Sequence, residues 1–62
     1  MIGSRYKRVG DPRHTGTYAV IGPSSEIGSA REWILRNEKN QADELVVKAT
    51  DLDNPKIWER LD

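Results

Sequence analysis

From Gly10 to Gly22 the chain runs through a cluster of turn formers into an alternating apolar segment, and that junction most constrains its fold. Asp11 and Pro12, flanked by Gly10 and Gly16, supply turn geometry. Tyr18 and Val20 then alternate with Thr17, Ala19 and Ile21 at the two-residue period of a strand with one buried face. The strand expected here covers 16–22 and opens a small β-barrel. Gly22-Pro23-Ser24-Ser25 ends it, since a proline donates nothing to a ladder and disfavours helix at the residue before it. A loop to about Ser29 follows.

Upstream, Arg5 to Val9 fits a short first strand, with Tyr6 and Val9 inward and Lys7 and Arg8 toward the exposed side. The segment from Ala30 to Asn37 satisfies two periods: Ile27, Ala30 and Ile34 mark a helical face, Trp33 and Leu35 a strand face. Strand is favoured, because Gly28 weakens a helix begun at Ser24 or Ser25 and Glu38 to Gln41 has the polar make-up of a hairpin loop before Leu45-Val46-Val47. Residues 31–37 and 44–48 are then neighbours. Ala49 to Pro55 is rich in side chains that bond their own backbone, which predicts a tight turn or one turn of 3₁₀-helix near 50–54, with Leu52 plugging the barrel end. For 55–61 two readings stand: a closing strand, or a short helix started by Asn54-Pro55 with Ile57, Trp58 and Leu61 on one face. The fold class expected is all-β, a five-stranded small barrel making one domain of residues 1–62.

A chain of 62 residues buries only about 60% of its unfolded surface, so its core is modest and its stability marginal or shared with a partner. With no cysteine and one histidine, neither a disulfide scaffold nor a cysteine-based zinc or redox site is available. No apolar run approaches the roughly 20 residues of a membrane span, and the first residues lack the hydrophobic segment of a signal peptide. The expectation is a cytoplasmic protein with no membrane partner.

Formal net charge is zero, yet Arg5, Lys7, Arg8 and Arg13 against Asp11 leave +3 through residue 14 and −3 beyond it. Such asymmetry steers acidic partners or a phosphate backbone, while zero net charge opposes strong nonspecific nucleic-acid binding. The candidate surface is Arg5, Lys7, Arg8, Arg13 and Tyr18, with a ring on an open face to stack a base and guanidinium groups to hold phosphates. The competing reading places Tyr6, Tyr18, Trp33 and Trp58 in the core.

Catalytic and metal chemistry find no foothold. His14, between Arg13 and Thr15 in a turn, reads as a solvated imidazole. Asp51 and Asp53 lack the further ligands and the bend glycine of a calcium loop and read as turn caps. Ser24 and Ser25 lack the setting of a nucleophile elbow, and Gly10 and Gly16 have neither the spacing nor the lysine of a phosphate loop. No cofactor is expected.

The order of these features, a basic first strand, a Gly-Asp turn, an apolar strand after Gly16, a Trp33 strand, a hairpin and then Val46 to Leu52 with a short closing segment, resembles a Src-homology-3-like small barrel. Within that class Gly10 to Ile21 is similar to a KOW-type turn and strand, a resemblance that implies contact with RNA or with ribosomal and transcription proteins. Glu59-Arg60-Leu61-Asp62 is also similar to the close of type II dihydrofolate reductase barrels. That family holds substrate and cofactor on a Val-Gln-Ile-Tyr segment, where this chain has Glu44-Leu45-Val46-Val47, so the reductase site does not carry over. The expected function is a noncatalytic interaction module that binds a protein partner or self-associates. The alternatives are an RNA- or DNA-binding module using the basic arm, and a small oligomeric enzyme of reductase type.

Overall fold

A computed structural model describes residues 2–24 and 31–61. Five strands, β1 (Arg5–Arg8), β2 (Thr17–Pro23), β3 (Glu32–Asn37), β4 (Glu44–Lys48) and β5 (Trp58–Arg60), form one antiparallel sheet in the order β4-β3-β2-β1-β5. The sheet curls into a half-barrel, and a four-residue helix, α1 (Ala49–Leu52), links β4 to the turn before β5. All-β architecture, the strand assignment of residues 32–37 and the pairing of 31–37 with 44–48 are as expected from the sequence. The expected loop through Ser29 lies mostly outside the described residues.

The concave face carries the core. Tyr6, Tyr18, Val20, Leu35, Val47, Leu52 and Trp58 are buried together, with Trp33, Leu45 and Ile57 packed against them half-exposed. Alternation explains the selection in each strand: Tyr18 and Val20 point in, Thr17 and Ala19 lie on the other face, and Leu35 and Asn37 repeat the pattern in β3. The curl has a local cause. Between Val20 and Gly22 the register with β3 slips by one residue, so that Val20 pairs with Leu35 but Gly22 with Ile34. A bulge of this kind bends its strand and increases the twist; beyond it exposed Pro23 pairs with Trp33, which packs against the core.

Three expectations are corrected. Val9 does not point inward: its N–H bonds the Ile57 carbonyl at 2.9 Å beyond the end of β1, and the side chain is 37% exposed. Arg8 takes the inward place instead, because it is two residues from Tyr6 and shares its face; its long stem reaches Trp58, directly opposite in β5. The turn after β4 is α-type rather than 3₁₀, closed by the Asp53 N–H on the Ala49 carbonyl at 3.1 Å, with a tighter Asn54-to-Asp51 bond after it. Leu52 is buried at the barrel end as anticipated.

The choice at residues 55–61 resolves as turn then strand. Asn54 does begin a helical turn, its side-chain oxygen accepting from the Lys56 N–H and its carbonyl from the Ile57 and Trp58 N–H groups. The helix stops there because Trp58 buries its ring in the core and Trp58 to Arg60 pair with Arg8 to Tyr6.

Candidate interaction surface

The basic residues of the amino-terminal arm do not form one patch. Arg5 and Lys7 lie on the convex face of β1. Arg5 grips Glu38 with two contacts, Nε to Oε2 at 2.8 Å and Nη2 to Oε1 at 3.2 Å. Lys7 is exposed, opposite Thr17 on one side and Glu59 on the other. Arg8 sits on the opposite face with its guanidinium 5.8 Å from the Trp58 ring centre and its Nη1 donating to the Val9 and Ile57 carbonyls at 2.6 and 3.1 Å. Arg13 lies at the tip of the β1–β2 loop, 85% exposed and 3.4 Å from Asp11. Tyr18, expected on an open face, is wholly buried. Its ring has no surface on which a base could stack.

Tyr18 anchors the loops instead. Its hydroxyl donates to Asp43, while the ring stands edge-on to Trp58 at 5.7 Å and to His14 at 6.4 Å. Burial, followed by the Asp43 carboxylate, raises the phenol above its ordinary pKa. Asn37 completes the tie: Nδ2 donates to the Thr15 carbonyl at 3.0 Å and to Asp43 at 3.4 Å, and Oδ1 accepts from the Lys39 N–H at 2.8 Å. The β1–β2 and β3–β4 loops thus meet on one buried amide. Gly16 lies beside it with a φ of 92°, a left-handed conformation that favours glycine, while the space next to Asn37 would admit a Cβ in ordinary contact at 3.5 Å.

His14 differs from its expected solvated state. Its side chain is 30% exposed, with Nε2 3.9 Å from Asp11 and Nδ1 enclosed without a hydrogen-bond partner among the described residues. Asp11 is held below the ordinary carboxylate pKa, chiefly by the Arg13 backbone N–H that it accepts at 3.0 Å. Arg8, Asp11 and His14 line one wall of a cleft of about 220 Å³ whose other wall is Leu45, Val46 and Val47. This cleft marks the opening of the half-barrel, where β4 faces the β1–β5 side of the sheet without joining it.

The edge beside that opening is the least finished part of the surface. β4 pairs with β3 alone, and the bonds at its two ends, Asn37 N–H to Asp43 and Ala49 N–H to Arg31, fix the alternation along it. Asp43, Leu45, Val47 and Ala49 turn their backbone groups toward β3. Glu44, Val46 and Lys48 turn theirs outward, where no described strand meets them. At the middle stands Val46, 59% exposed. It lies opposite half-buried Ile34, which in turn meets the bulge at Ile21 and Gly22, so an apolar row crosses the convex face and runs out at the edge.

No group of three or more metal-ligating side chains occurs among the described residues, and no helix among them is long and apolar enough to cross a membrane. The sequence signal for the edge was Val46 between Glu44 and Lys48, but nothing in the sequence says which strand lies outermost. Compared with protein-family models, with curated proteins and with solved structures, the chain matches none.

Proposed function

We propose that this chain is a noncatalytic interaction module of the Src-homology-3-like small-barrel kind, which acts by taking up an extended strand along β4. The observation that carries the reading is the outward row of backbone groups on β4, those of Glu44 and Val46 and the N–H of Lys48, which no described strand meets, around an exposed valine. An open edge of this sort is a template for strand addition, in which main-chain bonds supply affinity and alternate side chains supply selectivity. The strand order, a four-strand meander with β5 returned beside β1, is the order such a barrel needs.

The nucleic-acid alternative has less support. Arg5 is paired with Glu38, Arg13 with Asp11, and Arg36 on the same convex face with Glu44 at 2.7 Å, which cancels the field a phosphate backbone would follow. An amide-resolved NMR titration separates the two. A short Val/Thr-rich peptide should shift the amides of Glu44, Val46 and Lys48, while single-stranded RNA and duplex DNA at low salt should leave residues 5–20 unmoved. Salt-sensitive shifts focused on residues 5–20, with a silent β4, would overturn the proposal in favour of the nucleic-acid reading.

A further inference from the structure

We infer that the strand taken up by β4 is β4 of a second copy, paired antiparallel across a two-fold axis at Val46. The inference rests on the edge reading above and names the partner for that edge. Its basis is that the edge is its own complement. With Val46 opposite Val46 of the second copy, antiparallel order sets Leu45 against Val47 and Glu44 against Lys48, and the symmetry repeats each pair.

Backbone geometry permits this register. Glu44, Val46 and Lys48 are the residues whose backbone groups point away from β3, with the Lys48 carbonyl also capping α1. In the symmetric register Val46 exchanges two bonds with Val46 of the second copy, and the Lys48 N–H meets the Glu44 carbonyl on each side; the Glu44 N–H meets the second lone pair of a Lys48 carbonyl whose first already accepts from α1 as its N-cap. A slip by one residue would set outward groups against inward ones and forfeit those bonds.

The convex face agrees row by row. Glu32 lies opposite Lys48, and Arg36 opposite Glu44, within one chain. Pairing two copies therefore joins Glu32, Lys48, Glu44 of the second copy and Arg36 of the second copy into one row of alternating charge. Glu44 engages Arg36 through Oε2, leaving Oε1 to face the new lysine. Lys48 has no ion pair among the described residues, and the second copy supplies one. Between the two charged rows, Ile34 and Val46 continue into Val46 and Ile34 of the second copy, covering the exposed valine on both sides. A parallel arrangement would set Glu44 against glutamate and Lys48 against lysine. Like charges directly opposite are destabilising, so the edge discriminates between the two directions.

The test is sedimentation equilibrium of the full chain from micromolar to millimolar concentration, with amide exchange of Glu44, Val46 and Lys48 read by NMR on the same samples. The wild type should pass from 7.1 kDa to twice that mass, with these amides gaining protection as it does. Glu44→Lys and Lys48→Glu should each be monomeric, since each sets like charges across both halves of the symmetric pair. An equimolar mixture of the two should regain the dimer, because every facing pair is then opposite in sign. Val46→Lys places two lysines at the axis and should be monomeric with an unchanged fold, as judged by its amide spectrum, which covers the case that the Glu44 variant is disturbed by losing Arg36. A wild type that stays at 7.1 kDa, or a mixture that associates no better than its components, would overturn the inference. If the peptide still binds β4 of that monomer, the edge reading survives the loss of self-pairing; if the chain dimerises with these three amides unprotected, self-pairing at β4 falls, and the edge reading falls with it when the peptide also leaves β4 unshifted.

Discussion

Replacing Tyr18 by Phe tests whether the loops are held as described, because it keeps the buried ring against Trp58 and His14 and removes one hydroxyl. That hydroxyl donates to Asp43, and a bond to a charged acceptor is worth about 1.5–3 kcal/mol. Asp43 is half-exposed and keeps the Asn37 amide at 3.4 Å, which favours the lower end, about 1.5–2 kcal/mol. For a chain of 62 residues the whole stability is on the order of 3–9 kcal/mol, so the loss is a sizeable part of it. At this size each kcal/mol moves the midpoint by roughly 4–8 °C, and the variant should melt roughly 6–16 °C lower at neutral pH.

The same substitution has a signature at high pH. Tyr18 has its pKa raised above 10.0 by burial and by Asp43, so the unfolded chain releases this proton before the folded one. Its contribution is complete below pH 10 and is lost as pH rises through the folded value, which makes stability fall on the alkaline side. Tyr18→Phe should have a shallower alkaline decline than the wild type, and the two curves should converge. Urea denaturation followed by far-UV circular dichroism at neutral and alkaline pH reads both effects. A loss below about 0.5 kcal/mol at neutral pH, the size of an indifferent surface change, together with an identical alkaline slope, would refute the Tyr18–Asp43 tie.

Leu35→Ala, at a wholly buried site in the middle of the sheet, should cost about 2–5 kcal/mol and leave much of the chain unfolded at 37 °C by circular dichroism. Asn37→Ala removes the bonds to Thr15, Lys39 and Asp43; it should destabilise by about 1–3 kcal/mol in urea and speed amide exchange in residues 10–16 and 38–43 together. Glu38→Gln, by contrast, breaks an exposed pair with Arg5 and should lower the stability measured in urea by less than about 1 kcal/mol, a difference that shrinks as salt is added.

Legibility differed by element for identifiable reasons. Tyr18 and Val20 announce β2 because a half-buried strand alternates, and the Glu38 to Gln41 loop announces the pairing of β3 with β4. The sequence misleads where hydropathy and period disagree. Val9 is the more apolar residue, but the two-residue period from Tyr6 selects Arg8, and a guanidinium resting on Trp58 satisfies that place without burying a bare charge. The bulge at Ile21 and Gly22 is hidden because one extra residue leaves no compositional mark beyond a glycine. Tyr18 as a stacking ring failed because its hydroxyl finds Asp43 only in the folded chain, 25 residues away. The order of strands, and with it the free edge, depends on β5 returning beside β1, a long-range pairing no local window contains.

The two ends of the sheet are treated differently, and the difference bears on function. β5, the other outer strand, has three residues, follows the turn at Pro55 and carries exposed Glu59 and Arg60. Shortness and charge are devices that discourage strand addition. β4 has five residues, no proline, and its one exposed apolar side chain at the centre, with opposite charges at its two ends. In the proposed reading, an edge blunted on one side and left open on the other directs an incoming strand to one place, on a chain too small to bury a large core by itself. Because the charges at the open edge are of opposite sign and equally spaced from Val46, the strand that satisfies both at once is one of the same pattern run in the reverse direction.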